Sequence, residues 1–217
     1  MSLNTPAARA QMVNQQIRAW EVLNPAVLRA LSEVPRENFV PETYRTLAFA
    51  DTEIPLGGGQ RMLTPQVAGR ILQALNVGAT DRVLEVGTGS GFLTACLGRL
   101  GAQVTSLEID PELAETARRN LRNAGAANCE VITQDVFRWQ PPGPFDCIAV
   151  TGSLPEYDSR FQEWLAQGGR LFVVVGQAPA MEACLVRQTP AGIERESLFE
   201  TVLPVLAHAP QRERFQF

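Results

Sequence analysis

From Arg9 to Leu31 the apolar residues Met12, Ile17, Trp20, Leu23, Val27, Leu28 and Leu31 recur at roughly helical intervals. The pattern breaks at Asn24-Pro25, a pair suited to cap one helix and begin the next, so two short helices are expected. Between Val34 and Pro65 the periodicity fades. Pro35, Pro41, Pro55 and Pro65 together with Gly57-Gly58-Gly59 predict irregular backbone or a small hairpin around a site, since a loop this long in a compact domain is usually functional. Helical spacing returns in VAGRILQAL after Pro65 and stops at Asn76-Val77-Gly78.

Short apolar runs then take over. Strands are expected at 82–86, 104–108, 129–132, 145–151 and 170–175, with helices near 91–100 and 111–124 between the first three. This alternation predicts an α/β fold, a parallel sheet covered by helices on both faces, whose ligand crevice lies at the carboxyl ends of the strands. Two further strands are expected at Cys184–Arg187 and Leu198–Leu206, before a polar end, QRERFQF, with the composition of a disordered tail. With no internal repeat, the chain reads as one domain: an N-terminal helical and loop region over about 1–65, a core over about 66–206 and a polar tail over 207–217.

Composition narrows the function. Nineteen basic residues against 23 acidic ones leave a net charge of −4, without the general basic field that a sequence-independent nucleic-acid binder needs. No stretch approaches the ~18 uncharged apolar residues that span a bilayer, and the N-terminus has no apolar signal core. A soluble, cytoplasmic protein is expected, with neither nucleic acid nor membrane as partner. Cys96, Cys129, Cys147 and Cys184 are widely spaced and accompanied only by His208, so a zinc site of the usual spacing is not expected and the thiols read as reduced and buried. Trp139 and Trp164 read as packing residues.

The run V-L-E-V-G-T-G-S-G-F places Gly87, Gly89 and Gly91 where a strand must turn into a helix, and glycine lets that backbone turn tightly and approach a ligand. Glu108, ending the next strand, lies 21 positions after Gly87, the spacing at which a strand-end carboxylate reaches the ribose hydroxyls of an adenosine. A nicotinamide fingerprint would need glycine at position 92, which is Phe92, so a different adenosine ligand is favoured over a nicotinamide-dependent oxidoreductase.

The segment Val83–Phe92 resembles the first motif of the class I methyltransferases that use S-adenosylmethionine, and Gln134-Asp135-Val136 and Pro144-Phe145-Asp146 stand where that family has further motifs. The blocks M-V-N-Q-Q-I-R (12–18), V-P-R-E-N-F-V-P (34–41) and A-D-T-E-I-P-L-G-G-G-Q (50–60), in order and spacing, resemble more narrowly the protein-L-isoaspartate O-methyltransferases over roughly residues 10–206. The resemblance implies a doubly wound, Rossmann-like, mostly parallel sheet with an added N-terminal helical region. It implies S-adenosyl-L-methionine as cofactor, S-adenosyl-L-homocysteine as product and no metal. The activity it implies is methyl transfer to the α-carboxylate of L-isoaspartyl residues in damaged proteins, whose ester then collapses spontaneously to a succinimide. Isoaspartyl peptides and proteins would be the partners, and the enzyme a monomer or homodimer. Gln60, Met62, Leu63, Glu85, Gly87, Thr88, Gly89, Gly91, Glu108, Ile109, Asp135, Val136 and Thr151 would then bind the cofactor, with Glu85 near the methionine amino group and Asp135 near the adenine amine. Arg61, Thr64, Pro65 and Gln66 would face the acceptor.

The chain also departs from that family. Where it usually reads T-I-S-A-P-H, this sequence has Arg61-Met62-Leu63-Thr64-Pro65-Gln66, with Leu63 at the position of the active-site serine. Either Thr64 supplies the hydroxyl, which makes it the candidate catalytic residue, or the acceptor has changed. Gln134-Asp135-Val136 stands where the family shows G-D-G, and T-G-S-L-P (151–155) where it usually has T-A-A. The family's F-V-P-L, which the resemblance implies would shape the peptide-binding side, is represented only by Leu203-Pro204-Val205-Leu206, which reads equally as an ordinary core strand. Arg61 reads either as a partner for a substrate carboxylate or as an exposed loop arginine. Two alternatives therefore stand beside the repair enzyme: a methyltransferase of this fold with another acceptor, and a module that binds S-adenosylmethionine without turnover.

Overall fold

The computed structural model describes residues 5–211. Its centre is a seven-stranded sheet formed by β3 (Arg82–Val86), β4 (Gln103–Glu108), β5 (Cys129–Thr133), β6 (Phe145–Leu154), β7 (Leu165–Gln177), β8 (Ala180–Thr189) and β9 (Gly192–Glu200), in the order β5-β4-β3-β6-β7-β8-β9. The first five neighbours in that order are parallel, and β8 and β9 close the edge as an antiparallel meander. Strand order reverses between β3 and β6, the switch point at which helices leave opposite faces and a crevice opens at the strands' carboxyl ends.

Period-two alternation explains the two cores. Val83, Cys147, Ala149, Phe172 and Val174 face the layer containing α3 (Pro65–Leu75), α4 (Phe92–Leu100) and α5 (Pro111–Asn123). Leu84, Val86, Ile148, Val150, Leu171 and Val173 face the other side, where Trp139, Phe161 and Trp164 pack edge-on beside the short helix α6 (Arg160–Glu163).

The expected N-terminal helices are present with a finer grain. The first begins as α1 (Thr5–Gln11), relaxes into a π-helical turn over Met12–Ile17 and tightens into a 3-10 turn over Arg18–Trp20. Asn24 then caps α2 (Pro25–Glu33), its side chain accepting from Ala26 N at 2.9 Å with Pro25 in the first turn. The irregular stretch that follows resolves into 3-10 turns at Arg36–Asn38 and Glu42–Leu47 and a hairpin of β1 (Ile54–Gly57) and β2 (Gln60–Met62). Gly57, Gly58 and Gly59 turn that hairpin with φ of 99°, 57° and 79°.

Two expectations for the C-terminus need correction. The last strand is Gly192–Glu200, and Thr201–Leu206 leaves the sheet, with only an isolated parallel bridge from Val205 to Ser153. The physical reason is Ser153: its N–H donates to Pro204 O at 2.8 Å, its hydroxyl donates to Leu203 O at 2.9 Å, and its carbonyl accepts from Leu206 N at 2.9 Å. These bonds pull the chain from the β9 edge back across the end of β6. Within the expected tail, Ala209 is buried against the second core, whereas all of QRERFQF except Gln211 lies outside the described residues. The four cysteines are free thiols, three of them buried and Cys129 half-buried. Among the described residues no helix is long and apolar enough to cross a membrane.

The N-terminal layer meets the sheet layer at Gly69 in α3, where a Cβ would lie 3.0 Å from Ile17 Cγ2 and 3.2 Å from Val22 Cγ2. A mid-helix glycine is otherwise unfavourable by about 1 kcal/mol relative to alanine, so close approach is its structural reason. Gly69→Leu should therefore lower unfolding free energy by about 1–3 kcal/mol in a urea titration. An unchanged or raised midpoint would show that the two layers are not pressed together there.

Candidate active site

At the carboxyl ends of β3, β4, β5 and β6 lies a cavity open to solvent. Its floor is the turn from β3 into α4. Gly87 N and Thr88 N both donate to Leu107 O, at 2.8 and 3.3 Å, which draws the loop against β4. Gly87 has φ of 94°, and a side chain there would collide with the Thr151 hydroxyl, which sits 2.8 Å from Val86 O and 2.7 Å from Gly87 O. Gly89, with φ of 54°, donates its N–H to Glu108 Oε2 at 2.8 Å, while Glu108 Oε1 accepts from Asp110 N at 3.1 Å. The carboxylate that the sequence places beside a ribose thus also fixes the glycine loop.

Beneath this turn lies Glu85, fully buried on β3. Its Oε2 accepts from Thr94 Oγ1 at 2.5 Å and Ser106 Oγ at 2.6 Å, and Thr88 Oγ1 continues the chain to Ser106 at 2.6 Å. Its Oε1 is buried and has no partner. Burial pushes the carboxyl up to about 7 against the lowering effect of the Ser106 and Thr94 bonds, and the charge of Glu108 adds to the rise. A buried carboxyl with one unpaired oxygen, on a residue beside the cavity, is costly to keep charged without a cationic neighbour.

The side walls are Ile109 just after β4, Leu113 in α5, Gln134, Asp135 and Val136 after β5, and Thr151 and Gly152 in β6. Asp135 accepts from Phe137 N at 2.9 Å and lies 2.8 Å from His208 Nδ1. Burial opposes ionisation of this carboxyl, but the bonds from His208 and Phe137 and the charges of His208 and Arg138 outweigh it and hold the group below its ordinary value.

The mouth is framed by Glu53, Leu56 and Gln60–Leu63 of the hairpin on one side and Pro204–Ala207 on the other. Leu56 reaches down to the glycine loop, so that a Cβ on Gly89 would lie 3.3 Å from Leu56 Cδ1. Arg61 stands at this rim, largely exposed, 3.9 Å from Glu53 Oε2.

Of the residues singled out from sequence, the cavity brings together Gln60, Arg61, Met62, Leu63, Glu85, Gly87, Thr88, Gly89, Glu108, Ile109, Asp135, Val136 and Thr151. It does not bring in Gly91, Thr64, Pro65 or Gln66. Gly91, with φ of 85°, begins α4, and a Cβ there would press on Ala117 and Leu121 at 3.4 Å, so it serves helix packing. Thr64 Oγ1 caps α3 by accepting from Val67 N at 3.3 Å, and Pro65 and Gln66 are buried in the first turn of that helix. Sequence reasoning missed Arg36, Glu53, Leu56, Leu93, Leu113 and Ala207, and of the two readings it left open for Leu203–Leu206 the cavity includes Pro204, Val205 and Leu206 in its lining. The triple glycine offered a signal for Leu56, whereas Arg36 falls within the block V-P-R-E-N-F-V-P (34–41), which marks the family and not a site. Among the described residues no group of three or more His, Cys, Asp or Glu is placed to hold a metal ion.

Comparison with known proteins agrees with this geometry. The family model described as Protein-L-isoaspartate(D-aspartate) O-methyltransferase (PCMT) matches residues 7–203. Protein-L-isoaspartate O-methyltransferase 1 of Anaeromyxobacter sp. (strain Fw109-5) is 40% identical over 195 residues, covering 89% of this chain and 91% of that one. The Methanoculleus marisnigri protein-L-isoaspartate O-methyltransferase is 37% identical over 195 residues, covering 89% and 86%. In fold, the chain is similar to a Plasmodium falciparum protein described as a protein-L-isoaspartate O-methyltransferase and crystallised with S-adenosyl-L-homocysteine, with a TM-score of 0.80, 20% identity, and coverage of 91% of this chain and 97% of that one. Motif order, the doubly wound sheet and a cavity built on its glycine turn thus meet in one conclusion: the chain belongs to the protein-L-isoaspartate O-methyltransferase family.

Proposed function

We infer that this protein is an S-adenosylmethionine-dependent carboxyl methyltransferase that methylates the α-carboxylate of L-isoaspartyl residues in damaged proteins. The observation that supports the cofactor half is the cavity that joins Glu85, the glycine turn and Glu108. Family membership supports the acceptor half. A cytoplasmic setting, with the enzyme a monomer or homodimer, is part of the same proposal.

S-adenosylmethionine supplies a methyl group already activated on a sulfonium, so the protein's task is alignment and electrostatics. Glu85 Oε1 offers a buried acceptor for the methionine ammonium, Glu108 stands for the ribose and Asp135 for the adenine side. An acceptor carboxylate is already ionised at neutral pH and needs no general base. Leu56, Leu63, Val205 and Leu206 at the mouth instead strip its water shell, which raises its reactivity toward an alkylating centre. No hydroxyl from Thr64 is required in this scheme.

Transfer of labelled methyl from S-adenosylmethionine to an L-isoaspartyl peptide, with the L-aspartyl peptide as control, tests the activity. Selective labelling is expected, and cofactor binding without it would favour a second reading, a different acceptor. Leu63 at the rim is the observation behind that second reading. Leu63→Ser, which exchanges an apolar rim side chain for a hydroxyl that keeps water and a hydrogen bond on the acceptor carboxylate, should lower kcat/KM on the isoaspartyl peptide by about tenfold in this scheme. A gain would contradict the desolvation role and favour a hydroxyl-assisted acceptor site.

Glu85 should also shape stability. Its carboxyl stands near 7 in the folded chain against 4.5 ordinarily, so the folded state holds its proton longer. Stability of the ligand-free protein should therefore fall as pH rises from about 4.5 to about 7, by up to about 3 kcal/mol, and level off above. Glu85→Gln should flatten this window in urea titrations, and an equal slope in both proteins would contradict the assigned burial.

A further inference from the structure

The C-terminal wall of the cavity is held on one side by Ser153, which binds Leu203, Pro204 and Leu206. Gly152 leaves room for this approach, since a Cβ there would lie 2.6 Å from Leu206 Cδ2 and 3.1 Å from Pro204 O. The chain then turns sharply: Ala209 N donates to Leu206 O at 3.1 Å, and Ala209 is buried in the second core. His208 occupies the third position of that turn with φ of 63°. This is the left-handed region, where glycine sits without strain and a residue bearing a β-carbon does not.

From that strained position the His208 side chain reaches across to the loop after β5, where Nδ1 lies 2.8 Å from Asp135 Oδ2. Asp135 Oδ1 is turned back to Phe137 N, capping the 3-10 turn Val136–Arg138, and Arg138 Nε stands 3.7 Å from Oδ2, beyond bonding distance. Asp135 lines the cavity, as do Pro204–Ala207 just before His208. A carboxylate has about four lone-pair sites, so with His208 and Phe137 in place Asp135 keeps acceptor capacity for a ligand. A strained backbone that persists where glycine would be cheaper, and whose side chain ends on a cavity-lining carboxylate, points to the side chain as the reason for the residue.

We propose that His208 is a positioning residue for the cofactor site: its bond to Asp135 Oδ2 aims that carboxylate at the exocyclic amine of adenine and fastens Pro204–Ala207 beside it. This rests on the cofactor reading above, in which Asp135 stands on the adenine side. Without the bond, Oδ2 is left to Arg138 and water, and a ligand must order the carboxylate itself.

Calorimetric titration with S-adenosylhomocysteine and with S-inosylhomocysteine, which carries a carbonyl in place of the adenine amine, tests this in the wild type and in variants chosen to suit the turn. The wild type should bind the inosyl ligand about 10–100-fold more weakly, the worth of a hydrogen bond to a charged group. His208→Gly removes the bond while relieving the backbone. Its urea midpoint should not fall, its affinity for S-adenosylhomocysteine should drop about tenfold, and its preference over the inosyl ligand should shrink by a similar factor. His208→Asn, which tolerates the same φ and places an amide N–H where Nδ1 stands, should restore most of both. In an Asp135→Ala background His208→Gly should cost nothing further. An unchanged preference in His208→Gly overturns the proposal and leaves the cofactor reading intact, as does a midpoint that falls with the preference kept, or a loss that persists in the Asp135→Ala background. A wild type that binds both ligands equally overturns it together with the place given to Asp135, and one that binds neither overturns the cofactor reading itself.

Discussion

A carboxyl sealed beneath the turn from β3 into α4 is the constraint around which the rest of this molecule is arranged. Glu85 has lost its water, so its surroundings must supply donors, and Thr94 and Ser106 do so for one oxygen only. That requires α4 to start close above β3 and β4 to lie close beside it, which in turn requires glycine at positions where a side chain would strike Thr151 or Leu56. The same packing that brings donors to Oε2 leaves Oε1 buried without a partner. The cost of that incomplete solvation is the local instability that a cationic ligand relieves, and it makes binding differ from mere filling of a crevice.

The remaining walls follow from the sheet. Because five parallel strands end together, Glu108, Asp135 and Thr151 arrive at one rim from successive strand ends. The N-terminal layer adds Arg36 and the hairpin, and the C-terminal segment crosses back to close the opposite side. The result pairs a polar, charge-bearing floor with a largely apolar mouth. That division matches the reaction, in which a sulfonium and a carboxylate neutralise each other and water only stabilises the separated charges.

Legibility in the sequence tracks how local each cause is. The glycine turn, Glu108 and the first five strands of the sheet were readable because their reasons lie within a few residues or one strand–helix unit. The hairpin was readable as a possibility, since Gly57-Gly58-Gly59 breaks the chain without saying where it folds. The C-terminal crossing was not: Leu203–Leu206 is as apolar as a strand, and it leaves the sheet only because Ser153, some fifty residues earlier, binds its backbone. Arg36 was hidden for a similar reason. Its burial depends on carbonyls of Ala48 and Leu63, which come to it only in the folded chain. Thr64 stands outside the cavity lining with its hydroxyl capping a helix, a role that a one-position shift along the loop does not reveal.

The central claim, that a buried carboxyl is held in reserve for the cofactor's cation, is tested most directly by counting protons on binding. S-adenosylhomocysteine titrated into the wild-type protein at pH 6.5, in two buffers of different ionisation enthalpy, reports the number released. With Glu85 near 7 in the free protein, the account predicts release of more than about half a proton, lost in Glu85→Gln. Binding enthalpies that do not depend on the buffer would contradict it.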